Sequence, residues 1–530
     1  MASGVAVAPS AEPRERAGVR LGGLGRGELA AWGALIALAL ALRLIGLGDR
    51  PFHHDESQDA YFSWLFRTTG QYAYNPLLHG PLRFYLTAAV YVLFGDSDFT
   101  ARLAPALMGT AMVPLCLLLR PLVGRLAAFA AAVALAIGPT YLYFSRFARE
   151  DIYVACLTLA LIAVAFRFLE RPRPRQPALL GALLALSFAT KESTFITVFV
   201  IGTFFVAVLA HPRRRARVVE PVKSVGWEPW AWALATFAGV FTILFTTFLT
   251  HPAGLWDGLY TGLKYWLSQH AVHRGGEPPG FYVVLLAGEE WPALLLGAVG
   301  ALAVARRPTL FGLFLIWDFV LSLAVYSWAG EKFAWLVMHP LLPLLLLAGV
   351  GVQAIAAGPR RWRWLGLLAV AGGLGYAVVA SWWVNVDRGA DPRELLVSTQ
   401  SSTEVKRVAQ QVVALDARAH RRLLITVDAA QGATFPYAWY FRHLNAGYVD
   451  LTQSALPPDT DVLVVTEASR ARLGPALVGY TGRRFPFRVW WVRDYGKAIN
   501  PGDAWRYLTK RQVWNPTGGM KEWLCVRKGV

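Results

Sequence analysis

Four short segments carry the charged side chains that could do chemistry. The first, Pro51-Phe52-His53-His54-Asp55-Glu56-Ser57-Gln58-Asp59, sets two histidines before two adjacent carboxylates, and a turn at His79-Gly80-Pro81 follows it. The second, Tyr143 to Asp151, repeats the acidic pair as Glu150-Asp151 beside Arg146 and Arg149, which share a face if the stretch is helical. The third is Thr190-Lys191-Glu192-Ser193, and the fourth runs from Gly330 to Pro340 with Lys332 and His339. A carboxylate can take a proton from an attacking hydroxyl. Arginine and lysine can stabilise charge that gathers on departing phosphate oxygens. Each segment also has a plainer reading. Asp55 and Glu56 suit the positive end of a helix, Glu150 and Asp151 suit a salt-bridged helix start, and Lys191 suits a stem that reaches the membrane interface. Snorkelling leaves the charge on neighbouring Glu192 unexplained.

The elements that must position these residues are mostly apolar. Of 530 residues 55% are hydrophobic and 16% charged, where a soluble domain carries about a quarter charged residues. That composition excludes an ordinary soluble enzyme and a disordered chain. Three cysteines without CxxC spacing exclude a disulfide framework or zinc site. Runs long enough to approach a membrane span lie near 30–48, 102–122, 125–144, 151–169, 178–196, 195–210, 230–250, 291–305, 309–327, 334–356 and 363–383. The reading is therefore a polytopic α-helical membrane protein of about 11 transmembrane helices. Residues 82–95, bounded by Pro81 and Gly95, are expected to form a helix on the membrane surface.

Residues 1–29 read as a cytoplasmic tail and 30–384 as the transmembrane domain, its first run an uncleaved anchor. The segments then assigned to the cytoplasm hold 20 basic and six acidic residues, and the outside loops 10 basic and 14 acidic. This asymmetry places all four chemical segments outside the cell membrane, together with residues 385–530. There the apolar runs shorten to strand length at 423–427, 462–465 and 487–492 around a helix-like stretch from Thr403 to Leu415. This C-terminal segment reads as an extracytoplasmic α/β domain. With 21 basic and 13 acidic residues and no Gly-rich phosphate loop, it suits acceptor binding or capping, and no nucleic-acid partner is expected.

One scheme uses all four segments: a sugar donor whose leaving group is a phosphate on a membrane lipid. The HHDE loop, the SRFARED turn, the ATKES helix end and the EKFAWLVMHPLLPL stretch resemble the GT-C membrane glycosyltransferases of the dolichyl-phosphate-mannose protein mannosyltransferase-like superfamily. They are most similar to its prokaryotic flippase-activity-associated branch. The resemblance implies inverting transfer of a sugar, such as a mannose-like hexose, from a polyprenyl-phosphate donor to a protein, lipid or glycan acceptor at the outer face. It maps the family's first acidic motif onto Asp55 and Glu56, with Asp55 as base, and the second onto Glu150 and Asp151. Arg146 and Arg149 become phosphate or sugar contacts, Lys191 and Lys332 contacts to the lipid phosphate, and His54, His79, Glu192 and His339 further substrate contacts. No cofactor is required on this reading, whereas a metal-dependent oligosaccharyltransferase-like enzyme would hold a divalent cation. A flippase or transporter is the remaining alternative, and Asp318, inside the ninth run, is its best feature. Asp318 is expected to pair with Arg43 or to bond a neighbouring helix.

Overall fold

The computed structural model describes residues 24–498 and 500–530, so Arg14, Arg16 and Arg20 of the N-terminal tail lie outside the described residues. A helix occupies each of the eleven apolar runs, as it must where lipid offers backbone amides no partner. Among the described residues, seven helices are long and apolar enough to cross a membrane, and nine if each of two bent pairs is one span. The helices Arg175–Phe188 and Thr194–Ala210, with 14 and 17 residues, are shorter than an unaided span. Length and composition thus support a multi-pass membrane protein with seven to nine of the eleven expected crossings.

The two bends have identifiable causes. Arg125–Ile137 and Pro139–Ser145 meet at 55°, because Pro139 has no N–H to continue the helix. The fully buried Arg43 takes up freed carbonyls there, donating to Leu135 O at 2.8 Å and Ala136 O at 3.0 Å. The expected pairing of Arg43 with Asp318 is therefore corrected. Asp318 instead accepts from Ser322 Oγ, one turn along its own helix, at 2.8 Å. The second bend, 101°, separates Phe281–Glu289 from Trp291–Arg306. Glu290 at that bend accepts from Thr140 N at 3.1 Å, which ties the two broken helices together. The helix Met338–Ala356 is buried along most of its length and packs against Trp291–Arg306, Arg125–Ile137 and Leu310–Trp328. The apolar run at 82–95 is the helix Leu82–Phe94, with Val92, Leu93 and Phe94 exposed at its end.

The C-terminal segment forms a six-stranded mixed sheet: β1 (Gln400–Ser401), β2 (Ile425–Asp428), β3 (Ala446–Val449), β4 (Val462–Thr466), β5 (Tyr480–Trp490) and β6 (Gly518–Arg527). Their order is β1-β5-β6-β4-β2-β3. β2 pairs in parallel with β3 and β4, and the other ladders are antiparallel. The helix Thr403–Arg418 buries Val405, Val408, Ala409 and Val412. The strand expected at 487–492 begins earlier, at Tyr480, and β3 and β6 carried no apolar run long enough to mark them. Two polar clasps seat the sheet on the helices. Arg511 donates to both oxygens of Glu289 at 2.8 and 2.7 Å, and Arg442 and Trp439 donate to Asp96 and Asp98 at 2.7 and 2.8 Å.

Candidate active site

The first acidic pair opens the helix His54–Thr69. His53 caps it: its Nδ1 accepts from Asp55 N at 3.0 Å, and Glu56 Oε2 accepts from His53 N at 3.0 Å. The same turn sends the two carboxylates in different directions. Glu56 is fully buried. Arg102 donates to it through Nε at 2.7 Å and Nη2 at 2.9 Å, Ala148 N donates at 2.9 Å, and Arg50 lies at 3.5 Å. Burial alone would raise its pKa, but Arg102 and Arg50 hold it down at about 2. With every lone pair committed, Glu56 is a strut joining the first loop to the turn at Ala148. Asp55 keeps an open side, with 29% of its side chain exposed, and pairs with Arg149. There Arg149 and the neighbouring histidines outweigh burial and bring Asp55 to about 2, so it is ionised at neutral pH.

The second segment is not helical between Arg146 and Glu150, so its two arginines part. Arg146 donates to the carbonyls of Leu42 at 2.6 Å, Ile45 at 2.7 Å, Gly46 at 3.1 Å and Arg43 at 3.3 Å. These are the orphan carbonyls at the end of the first apolar helix. Arg149 turns the other way. It bridges Asp55 to Glu150 Oε1 at 2.9 Å, lies 3.9 Å from Asp151, and stacks 4.2 Å over Trp335. Glu150 is fully buried, with the cations Arg83 at 2.8 Å and Lys191 at 3.0 Å and the His79 ring at 3.4 Å. Burial is thereby outweighed by Arg149, Lys191 and Arg83, and Glu150 stays well below the usual carboxylate range.

The third segment reaches this cluster because Gly80 allows it. A Cβ there would sit 2.2 Å from Ala189 O, so only glycine lets the first loop lie against the turn after Phe188. Gly80 N and Leu82 N donate to Thr190 O and Ala189 O at 3.1 and 2.8 Å. The contact brings His79 Nδ1 to 2.7 Å from Glu192 Oε2, and Tyr74 donates to Glu192 at 3.2 Å. Lys191 grips Asp151 at 2.8 and 3.0 Å. Two further residues, Asp59 and Arg83, complete the cluster. Arg83 bridges Asp59 and Glu150. The signal for Asp59 was its spacing of four from Asp55 on one helix face; Arg83 had only its place just past the His79-Gly80-Pro81 turn.

The fourth segment divides. His339 stacks on Tyr326 with ring centroids 4.9 Å apart and brings Nε2 to 3.5 Å from Asp151. Lys332 stands away from the ion-pair cluster. It is buried, donates to Ala329 O, and lines a cavity of about 530 Å³ with Glu277, Phe333, Trp490 and Arg493. Burial lowers its pKa. Phe333, which lines the cavity, stacks on Trp335 at 4.5 Å, and Trp335 in turn carries Arg149, the partner of Asp55. Among the described residues, no group of three His, Cys, Asp or Glu is disposed to hold a metal ion. Arg83, Arg149 and Lys191 neutralise the carboxylates instead. His54 lies at the edge of the cluster, 2.9 Å from Arg488 of the C-terminal sheet.

Residues 78–253 match the family described as dolichyl-phosphate-mannose-protein mannosyltransferase. No curated protein sequence matches the chain. Among solved structures, ArnT from Cupriavidus metallidurans, bound to undecaprenyl phosphate, is similar with a TM-score of 0.61 and 15% identity, over 93% of this chain and 97% of that one. AglB, the archaeal oligosaccharyltransferase from Archaeoglobus fulgidus, gives 0.53 and 13% over 83% and 69%. The arabinofuranosyltransferase AftD from Mycobacteria gives 0.50 and 13% over 95% and 40%. The chain has the GT-C fold of these structures, and the family match covers residues 78–253 of it. Neither comparison bears on the narrower flippase-activity-associated branch.

Proposed function

We propose that this protein transfers a sugar, a mannose-like hexose, from a polyprenyl-phosphate donor to a hydroxyl acceptor at the outer face of the cell membrane. The observation that carries the reading is the separation of two neighbouring carboxylates: Glu56 is locked in ion pairs, while Asp55 is ionised, held by Arg149 and open on one side. Asp55 takes the acceptor proton as its oxygen attacks the sugar C1, the bond from C1 to the phosphate oxygen breaks, and the configuration inverts. Lys332 is the candidate contact for the leaving phosphate, because Arg149 and Lys191 already have carboxylate partners. The cavity that Lys332 lines offers room for the donor's phosphate. Lys191 holds Asp151 and Glu150 in place, so it enters this reading as a positioning group. The charge asymmetry along the chain sets the orientation, with a cytoplasmic N-terminus and the C-terminal sheet outside. The acceptor is a protein, lipid or glycan.

The test is Asp55→Asn in purified protein assayed with mannosyl, glucosyl, galactosyl and arabinosyl polyprenyl phosphates. The variant should fold and lose about 10²- to 10⁴-fold in rate; transfer at the native rate would refute the assignment. EDTA should leave transfer unchanged, and its loss would favour the metal-dependent reading.

A further inference from the structure

The C-terminal sheet reaches the first turn of the catalytic helix through one side chain. Arg488, on β5, holds the carbonyls of Gly432 at 2.7 Å, Phe435 at 3.1 Å and Gln431 at 3.3 Å. Gln431 takes left-handed backbone angles there, with φ 56°. The same Nη2 lies 2.9 Å from His54 Nδ1. A guanidinium can only donate, so His54 Nδ1 must offer its lone pair and the ring proton must sit on Nε2. That nitrogen faces the Gln58 side-chain amide at 3.1 Å, whose oxygen and nitrogen exchange places by a flip. Protonation of Nδ1 would break the contact and set two cations against each other. Asp55 is the next residue along.

We propose that Arg488 is a positioning residue for sugar transfer: by holding His54 as the neutral Nε2–H tautomer, the C-terminal domain keeps a second cation away from Asp55 and preserves its ability to take a proton. The inference rests on Asp55 being the base. The groups facing His54 are Asp55 and the Phe435 carbonyl, which favour the imidazolium, and Arg488, Arg149 and the His53 ring, which oppose it. Glu522 of β6 faces Arg488 in turn. Burial and Arg488 keep His54 below its usual range although Asp55 pulls it upward.

The full-length protein in detergent can be titrated with diethyl pyrocarbonate, which attacks only unprotonated imidazole, and carbethoxylation of His54 followed by mass spectrometry against pH. Arg488→Gln should raise the His54 midpoint by about one pH unit, and Arg488→Lys, still a donor, should restore it. The acid limb of the kcat/KM profile should move with the midpoint in Arg488→Gln and stay put in His54→Gln/Arg488→Gln, where nothing titrates. An unmoved midpoint in a folded Arg488→Gln protein overturns the proposal. So does a moved midpoint with an unmoved acid limb. Activity surviving Asp55→Asn would instead overturn the underlying assignment of the base, and leaves the His54 midpoint as a separate result.

Discussion

Glu56→Gln and Asp55→Asn, adjacent and nearly isosteric changes, should give opposite phenotypes. Glutamine at 56 keeps an acceptor for Ala148 N but removes the charge that balances Arg102, whose side chain is fully buried. Leaving one member of a buried pair uncompensated costs about 3–5 kcal/mol. Asparagine at 55 removes a partner from Arg149 that is 29% exposed, while Glu150 still holds that guanidinium. The loss there should be about 1 kcal/mol or less. Unfolding in detergent micelles followed by tryptophan fluorescence measures both, and transfer per folded molecule measures the chemistry. Glu56→Gln should be markedly less stable yet active in its folded fraction, and Asp55→Asn near native in stability and inactive. Native stability of Glu56→Gln, or a folded and inactive Glu56→Gln beside an active Asp55→Asn, would refute the division of roles.

Arg146→Ala should cost about 1–2 kcal/mol by uncapping the first apolar helix, with donor KM unchanged; a raised donor KM would return Arg146 to the substrate. Glu522, whose Oε2 accepts from Tyr437 at 2.7 Å, is pushed by burial up to about 8. The unfolded chain gives up that proton near pH 4, so the native state loses stability as pH rises from there to about 8 and carries the full penalty above it. Glu522→Gln has no proton to lose and should melt higher than the native protein at pH 9 and nearly equal to it at pH 4; equal melting at both would show that Glu522 is ionised in the fold.

How much was legible beforehand differs between the helices and the site. Apolar runs of membrane length and the asymmetry of arginine placement need no tertiary contact to act, because lipid forces the backbone into helices wherever such a run occurs. Helices therefore stand at all eleven runs, and the four chemical segments were found from residue type alone. The C-terminal sheet was legible only in part: β2 and β4 are buried apolar runs, whereas β6, Gly518–Arg527, opens with two glycines and mixes Lys521 and Glu522 into a strand paired on both sides.

Within those segments the sequence determined which charges were available, and the tertiary structure decided which of them do what. Asp55 and Glu56 are neighbours of similar chemistry; the approach of Arg102, from the turn before the helix Leu103–Leu115, with Ala148 N and Arg50, distinguishes a strut from an open carboxylate. Arg146 and Arg149 look like a pair until the chain between them leaves the helix and one guanidinium finds the open carbonyls of the first apolar helix. Lys191 and Lys332 differ in the same way, one enclosed by Asp151 and Glu150 and the other facing a cavity. The physical reason is common to all three pairs. A charge is set by its sequence, but its availability depends on which opposite charges and unpaired carbonyls lie within a few ångströms, and distant segments bring those together.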